Sequence, residues 1–182
     1  MGKTYDGIDD KLRAWIDKQA VFFVGTAPLR DDGHVNVSPK GMAGTFAVLG
    51  PLRVGYLDYF GSGAETVAHL CENGRIVIMF CAFTGPPKIV RLHGRGRVVL
   101  PTDAEFAGLR AQFAKDRTHA QRSIIVVELD RVADSCGYSV PHMDFVADRD
   151  ILDLHQTKKS TEYYDEYWDV KNAASIDGLP TR

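Results

Sequence analysis

Short apolar runs, separated by Gly, Pro, Asp and Asn, recur from Val21 to Leu129, with only brief links between most neighbours. Links of that length join antiparallel strands, because a parallel crossover needs a dozen or more residues. The runs are Val21–Ala27, His34–Lys40, Leu52–Asp58, Arg75–Phe83, Lys88–Arg97 and Ser123–Leu129. The Asp31-Asp32-Gly33 turn makes the first two a hairpin, Gly50-Pro51 breaks the chain before the third, and Thr84-Gly85-Pro86-Pro87 is a rigid loop before the fifth. No G-x-G-x-x-G follows any of them, which counts against a Rossmann domain. A mainly β, six-stranded antiparallel barrel with peripheral helices is the architecture this spacing favours.

Helical periodicity falls outside these runs. Ile8, Leu12, Trp15 and Ile16 mark an amphipathic helix within Asp6–Ala20, with Asp6, Asp9 and Asp10 matched to its dipole. Ser62 and Glu65 fit an S-x-x-E capping box and predict a helix from Gly63 to about Glu72, ended by Asn73-Gly74. Thr102 and Glu105 repeat the pattern and predict a helix to about Ala114, carrying Phe106, Leu109 and Phe113. After Ser135 the character changes. The division expected is a barrel over residues 1–134 and an extension over 135–182 that docks on the barrel or a partner subunit. Thr161–Ala174 reads as a helix rich in aromatics (Tyr163, Tyr164, Tyr167, Trp168), and the Ser175–Pro180 tail is extended.

Composition narrows the partners. The net charge of -2 provides no global basic field for nucleic acid or an anionic membrane, so the cations on particular strands point to a small anion. No apolar run is long enough to span a bilayer, and the N-terminus lacks a signal-peptide pattern. Cys71, Cys81 and Cys136 are an odd number with no close pair; Cys71 and Cys81 read as buried thiols on a helix and a strand, with no metal site expected and a reducing cytoplasm as the default.

Two strand faces and one turn carry the candidate chemistry. His34, Asn36, Ser38 and Lys40 share one face of their strand, with Val35, Val37 and Pro39 on the other. Ser38 and Lys40 can hold a phosphate, or lie on the solvated face of a hairpin. Arg91, His93, Arg95 and Arg97 share a second face, either as an anion clamp or as a wet face paired to acids. Gly61-Ser62-Gly63 opens a helix whose free N–H groups suit an anion, although Glu65 in its first turn competes with one. Asp58, at a strand end, can contact a ring nitrogen or cap the next turn. His34 and His93 lack ligand spacing for metal or haem.

Ser38-Pro39-Lys40-Gly41, Val54-Gly55-Tyr56-Leu57-Asp58, Gly61-Ser62-Gly63-Ala64-Glu65-Thr66 and Lys88-Ile89-Val90-Arg91-Leu92-His93-Gly94 occur in that order. Over residues 8 to 133 this order resembles the pyridoxamine 5'-phosphate oxidase-like, FMN-binding split β-barrel family. The resemblance implies a Greek-key split barrel and a homodimer with FMN in the groove between subunits. It implies that Ser38 and Lys40 approach the flavin phosphate and ribityl chain. Tyr56, Leu57 and Asp58 would border the isoalloxazine through backbone contacts. Ser62 and Thr66 match the family's Ser and basic positions before its first core helix, and Lys88 and Arg91 match polar and basic positions of its Arg-rich strand.

This chain has Ala64-Glu65 where the family carries a basic residue, which leaves phosphate charge to Lys40, Lys88 and Arg91. The Arg- and His-bearing C-terminal segment that true pyridoxamine phosphate oxidases use for substrate is not recognisable here, and Tyr138 and His142 are the tail residues suited to the substrate side. The activity implied is flavin-dependent oxidoreduction of a small molecule, with no assigned acid or base. An F420-dependent reductase, or a non-catalytic flavin- or haem-binding module, are the alternatives on the same fold.

Overall fold

The computed structural model describes residues 2–182. Its strands are β1 (Thr4–Tyr5), β2 (Phe22–Thr26), β3 (Asn36–Lys40), β4 (Phe46–Gly50), β5 (Arg53–Tyr59), β6 (Arg75–Cys81), β7 (Ile89–Val99) and β8 (Gln121–Ser135). The helices are α1 (Asp10–Ile16), α2 (Glu65–Glu72), α3 (Phe106–Arg110), α4 (Ile151–Gln156) and α5 (Thr161–Lys171). All strands join one antiparallel sheet in the order β3-β2-β6-β7-β8-β5-β4, with β1 added to β8. Two strands join the six expected from the sequence. β4 was hidden because Phe46-Ala47-Val48-Leu49 does not alternate, and β1 is only a two-residue strand.

The sheet curls on itself. Phe22 of β2 lies 5.2 Å from Phe46 of β4, although these strands stand near opposite ends of the sheet. Phe80 and Tyr56 complete the contact, at 5.7 and 5.6 Å from Phe22. The result is an antiparallel split β-barrel, open between β3 and β4. Each large side chain buried in it contributes about 1.5–3 kcal/mol. β8 is buried on both faces. Ile125 and Val127 face the barrel core, while Ile124 and Val126 meet Leu109 and Phe113 of the α3 region. Burial on both sides is why this strand reads as an unbroken apolar run rather than an alternation.

The helices depart from the sequence reading at their starts. α2 begins at Glu65 with Ala64 as a cap that makes no side-chain bond, and Ser62 is exposed. The Glu65 carboxylate accepts from the Ile176 N–H (3.3 Å) instead of folding back on its own helix. At α3, Glu105 pairs with Arg97 across the sheet surface, so its T-x-x-E pattern makes no box either. Both glutamates were drawn off by distant partners. The arginines of β7 are likewise satisfied individually, whereas His93 Nδ1 is buried without a partner among the described residues. Arg91 donates to Ser135 Oγ (2.9 Å), Arg95 to the Asn73 carbonyl (2.7 Å) and Arg97 to Glu105, so this face is a paired surface rather than one clamp. Cys81 is buried, whereas Cys71 is exposed, contrary to expectation.

The extension packs on the barrel. Tyr164 stacks on Phe60 at 5.0 Å and Trp168 meets it edge-on at 5.7 Å. Gln156 donates to the Phe60 carbonyl (2.6 Å), and Asp177 accepts from the His34 N–H (2.8 Å).

Gly94 sits at the β7–β8 irregularity, where an added Cβ would lie 2.0 Å from the Glu128 carbonyl oxygen. Gly94→Ala is therefore expected to cost about 3 kcal/mol or more in urea unfolding. Gly108, in α3, has nothing within 4 Å of such a Cβ. Gly108→Ala should instead raise stability by about 0.5–1 kcal/mol.

Candidate functional site

β3 ends the sheet, and its two faces are inverted relative to an ordinary surface strand. Val35, Val37 and Pro39 point outward, with Val35 72% and Val37 64% exposed, while Asn36, Ser38 and Lys40 are half-buried on the inner face. Asn36 Nδ2 donates to Ser38 Oγ (3.2 Å) and to Thr66 Oγ1 (3.1 Å) in the first turn of α2. The inner face of β3 and the start of α2 therefore form one polar wall.

Below Lys40 the wall becomes ionic. Asp58 is almost wholly buried and accepts from Arg122 Nε (2.7 Å) and Ser123 Oγ (3.2 Å), with Lys40 Nζ at 3.7 Å. Arg122, equally buried, also donates through Nη1 to the Gly63 carbonyl (3.2 Å) and to Asn172 Oδ1 (2.9 Å). A buried ion pair persists only where further bonds satisfy its remaining donors and acceptors, and these do so. Burial pushes the Asp58 carboxyl up, but Arg122, then Lys40, with hydrogen bonds from Arg122 and Ser123, outweigh it and hold the group below the usual carboxylate range. Burial also opposes the Arg122 charge, and Asp58 more than restores it. Arg122 is the closer partner of Asp58, which leaves Lys40, with its side chain 30% exposed, as the cation open to a ligand. The Tyr56 ring lies 5.8 Å from Lys40 Nζ, and its buried hydroxyl has no hydrogen-bond partner.

Lys40 also borders a cavity of about 530 Å³ at the open side of the barrel, between the ends of β3 and β5. Leu57 and Tyr59 form its β5 wall, Met42 its near edge, and Ile151 and Leu152 of α4 a wall from the extension. Tyr59 is held from behind by the Arg117 guanidinium, 4.0 Å from its ring, and donates to the Arg117 carbonyl (2.7 Å). Asp153 pins α4 in place through Lys115 (2.8 Å) and Arg117 (2.5 Å). Met42 adopts φ 69°, a left-handed conformation that is strained for a residue with a side chain.

Ser38, Lys40, Tyr56, Asp58 and Thr66 thus come together, and Leu57 lines the adjoining cavity. The Leu57 N–H bonds to the Thr45 carbonyl (2.8 Å), so it is not free to meet a ring. Ser62 is exposed and outside this cluster. Lys88 and Arg91 lie elsewhere in the chain. Register puts Arg91 in line with Met79, Phe23 and Pro39 on the outer face, whereas Lys40 is in line with Phe22, Phe80 and Val90 on the inner one. Lys88 sits 3.7 Å from Asp134 and over the Trp15 ring (5.1 Å). Tyr138 borders the Trp15 and Lys88 cavity of about 570 Å³, not the one at Lys40, and His142 is exposed.

Arg122 and Asn172 were missed by the sequence reading. A signal for Arg122 existed: a cation directly preceding an unbroken apolar strand is buried with that strand and must then have a partner.

A sequence profile described as Pyridoxamine 5'-phosphate oxidase matches residues 8–136. The chain belongs to the pyridoxamine 5'-phosphate oxidase family. Within that family, the Aspergillus flavus protein described as pyridoxamine 5'-phosphate oxidase family protein ustO is 38% identical over 190 residues, spanning 97% of this chain and 76% of its own. Two solved structures share the fold at low identity. Group A Streptococcus HupZ has a TM-score of 0.54 at 18% identity, covering 69% of this chain and 91% of that one. A protein from Mycobacterium smegmatis described as FAD binding has a TM-score of 0.51 at 15% identity, covering 73% of this chain and 96% of that one. The family match ends at residue 136, so Asn172 and the α4 wall lie beyond it.

Because the folded Asp58 carboxyl titrates below its unfolded value, its contribution is complete above about pH 4 and is lost as pH falls through the folded value. Asp58→Asn should flatten the acid limb of stability against pH, measured by urea unfolding between about pH 3 and 7. Arg122→Met, which strands a buried carboxylate, should cost about 3–5 kcal/mol at neutral pH.

Proposed function

We propose that this chain binds FMN at the Lys40 wall and its adjoining cavity, in a homodimer, and serves as a flavin-dependent oxidoreductase for a small molecule. The observation that carries this reading is the grouping of Asn36, Ser38, Thr66 and the part-exposed Lys40 on one polar face, with Lys40, alone of the four, also lining a cavity of about 530 Å³. That volume falls in the range of about 300–1,000 Å³ usual for small-molecule sites. The donor set fits a ligand with one anionic group and several hydroxyls, and a ribityl phosphate has that chemistry. Family membership and the FAD-binding description of the Mycobacterium smegmatis structure support a flavin as the class.

When bound, a flavin supplies reversible hydride and one-electron chemistry; the protein contributes binding, orientation and shielding. Lys40 would hold the phosphate as a point charge, and its ammonium stays in place because Asp58 lies behind it. Asn36, Ser38 and Thr66 would hold the polyol. Tyr59, fixed by Arg117, gives a rigid aromatic face, and Leu57, Ile151 and Leu152 exclude water from it. The outward Val35 and Val37 on the edge strand are the apolar surface that a second subunit would cover. Lys88 and Arg91 do not reach Lys40 within one chain, so any part they play in the same site requires that second subunit.

Titration of the purified protein with FMN, FAD and F420, followed by visible absorbance and flavin fluorescence, tests this. FMN is expected to bind, and Lys40→Ala to weaken it about ten- to a hundredfold, the worth of one charge-assisted hydrogen bond. Failure to bind any flavin overturns the proposal, and selective F420 binding reassigns the cofactor.

A further inference from the structure

Asn172 is wholly buried at the end of α5, yet its side chain is not needed to hold that end of the chain. Its backbone N–H already bonds to the Tyr167 and Trp168 carbonyls (3.2 and 3.1 Å). Its carbonyl accepts from Thr181 Oγ1 (2.6 Å), which in turn accepts from Trp168 Nε1 (2.9 Å). The tail also has its own anchors in the Phe60–Tyr164–Trp168 cluster. The Asn172 side chain is spent elsewhere. Oδ1 accepts from Arg122 Nη1 (2.9 Å), and Nδ2 donates to the Gly61 carbonyl (3.2 Å). Arg122 Nη1 also reaches the Gly63 carbonyl (3.2 Å), so Asn172 and Arg122 together grip both ends of the turn that leads into α2.

The consequence runs through charge. Arg122 is shared among Asp58, Gly63 and Asn172, and Asp58 is shared between Arg122 and Lys40. A neutral acceptor at Asn172 orients the guanidinium without competing for its charge. Arg122 then neutralises most of Asp58, and Lys40 stays available at the rim. A carboxylate in the same place would compete with Asp58 for Arg122 and return the Asp58 charge to Lys40.

We propose that Asn172, from the segment beyond the family match, is a positioning residue that sets the anion affinity of the Lys40 wall through Arg122 and Asp58. This rests on the flavin-binding reading and adds a specific source for its phosphate recognition: an uncharged side chain, donated by the C-terminal helix, that keeps one lysine free.

The test compares FMN with riboflavin, which is the same molecule without the phosphate. The readout is the ratio of the two dissociation constants, the phosphate increment, for the full-length protein and two variants. Asn172→Asp keeps an acceptor for Arg122 but, like Asn172→Ala, loses the donor to the Gly61 carbonyl, so riboflavin affinity should fall to a similar extent in both variants while only Asn172→Asp also cuts the increment, about tenfold. Asn172→Ala loosens the Gly61–Gly63 turn and should weaken both flavins alike, with the increment preserved. Thermal melts of both variants check that they fold, and Lys40→Ala marks the value expected when the phosphate cation is gone. A preserved increment in folded Asn172→Asp overturns the inference alone, as does a parallel loss of both flavins in that variant. Wild-type protein that binds FMN no better than riboflavin overturns the inference while leaving flavin binding intact; binding of neither overturns both.

Discussion

The Asp58–Arg122 pair, buried at 2.7 Å, is the contact on which the site depends. Neither charge could be taken from water alone, since an isolated buried ion costs several kcal/mol or more. Each therefore recruits further partners, and those partners come from every part of the molecule: Ser123 on the same strand as Arg122, Lys40 on the sheet edge, the turn before α2, and Asn172 at the far end of the chain. A requirement to satisfy two charges in a dry place thus draws one side chain of the extension to the barrel and groups it with the wall at Lys40. Hydrophobic packing of Phe60, Tyr164 and Trp168 brings the extension close, but it is non-directional. The ion pair supplies the direction.

β3 shows the second constraint. An edge strand with polar residues inward and valines outward is stable only if something meets each face. Inside, Thr66 meets Asn36, and Asp58 meets Lys40. Outside, Val35 and Val37 remain uncovered in the single chain. The same strand therefore presents a polar face, which we propose takes a small ligand, and an apolar face, which we propose a second subunit covers. Which residues serve which purpose follows from the period-2 geometry of the strand.

Much of the architecture was legible in the residues. The alternation from His34 to Lys40, the apolar run Ser123–Leu129 and the aromatic-rich stretch Thr161–Ala174 each reappear as elements, and the alternation puts Asn36, Ser38 and Lys40 on one face as expected. Helix starts were less legible. Ser62 and Thr102 each stand three residues before a glutamate, which is a sound local signal, but Glu65 is taken by the Ile176 backbone and Glu105 by Arg97. Capping is worth about 1 kcal/mol, so a charged or well-placed distant partner can override it. Of the residues expected to meet a cofactor, Ser38, Lys40, Tyr56, Asp58 and Thr66 gather as one group. Lys88 and Arg91 share a sequence pattern with them, but Lys88 stands just before β7 and Arg91 lies on β7, on the opposite face.

By itself, the sequence determined the antiparallel barrel, the faces of its strands and the family, because these rest on local periodicity and on motif order along the chain. Only the tertiary structure decided that Arg122 is the closer partner of Asp58, that Lys40 is the more distant and more exposed one, and that Asn172 takes part in that arrangement. Those are matters of which charges share a dry volume. Residues 58, 122 and 172 are far apart in the chain, and no local pattern encodes their meeting, because electrostatic pairing depends on distance in space and on the exclusion of water.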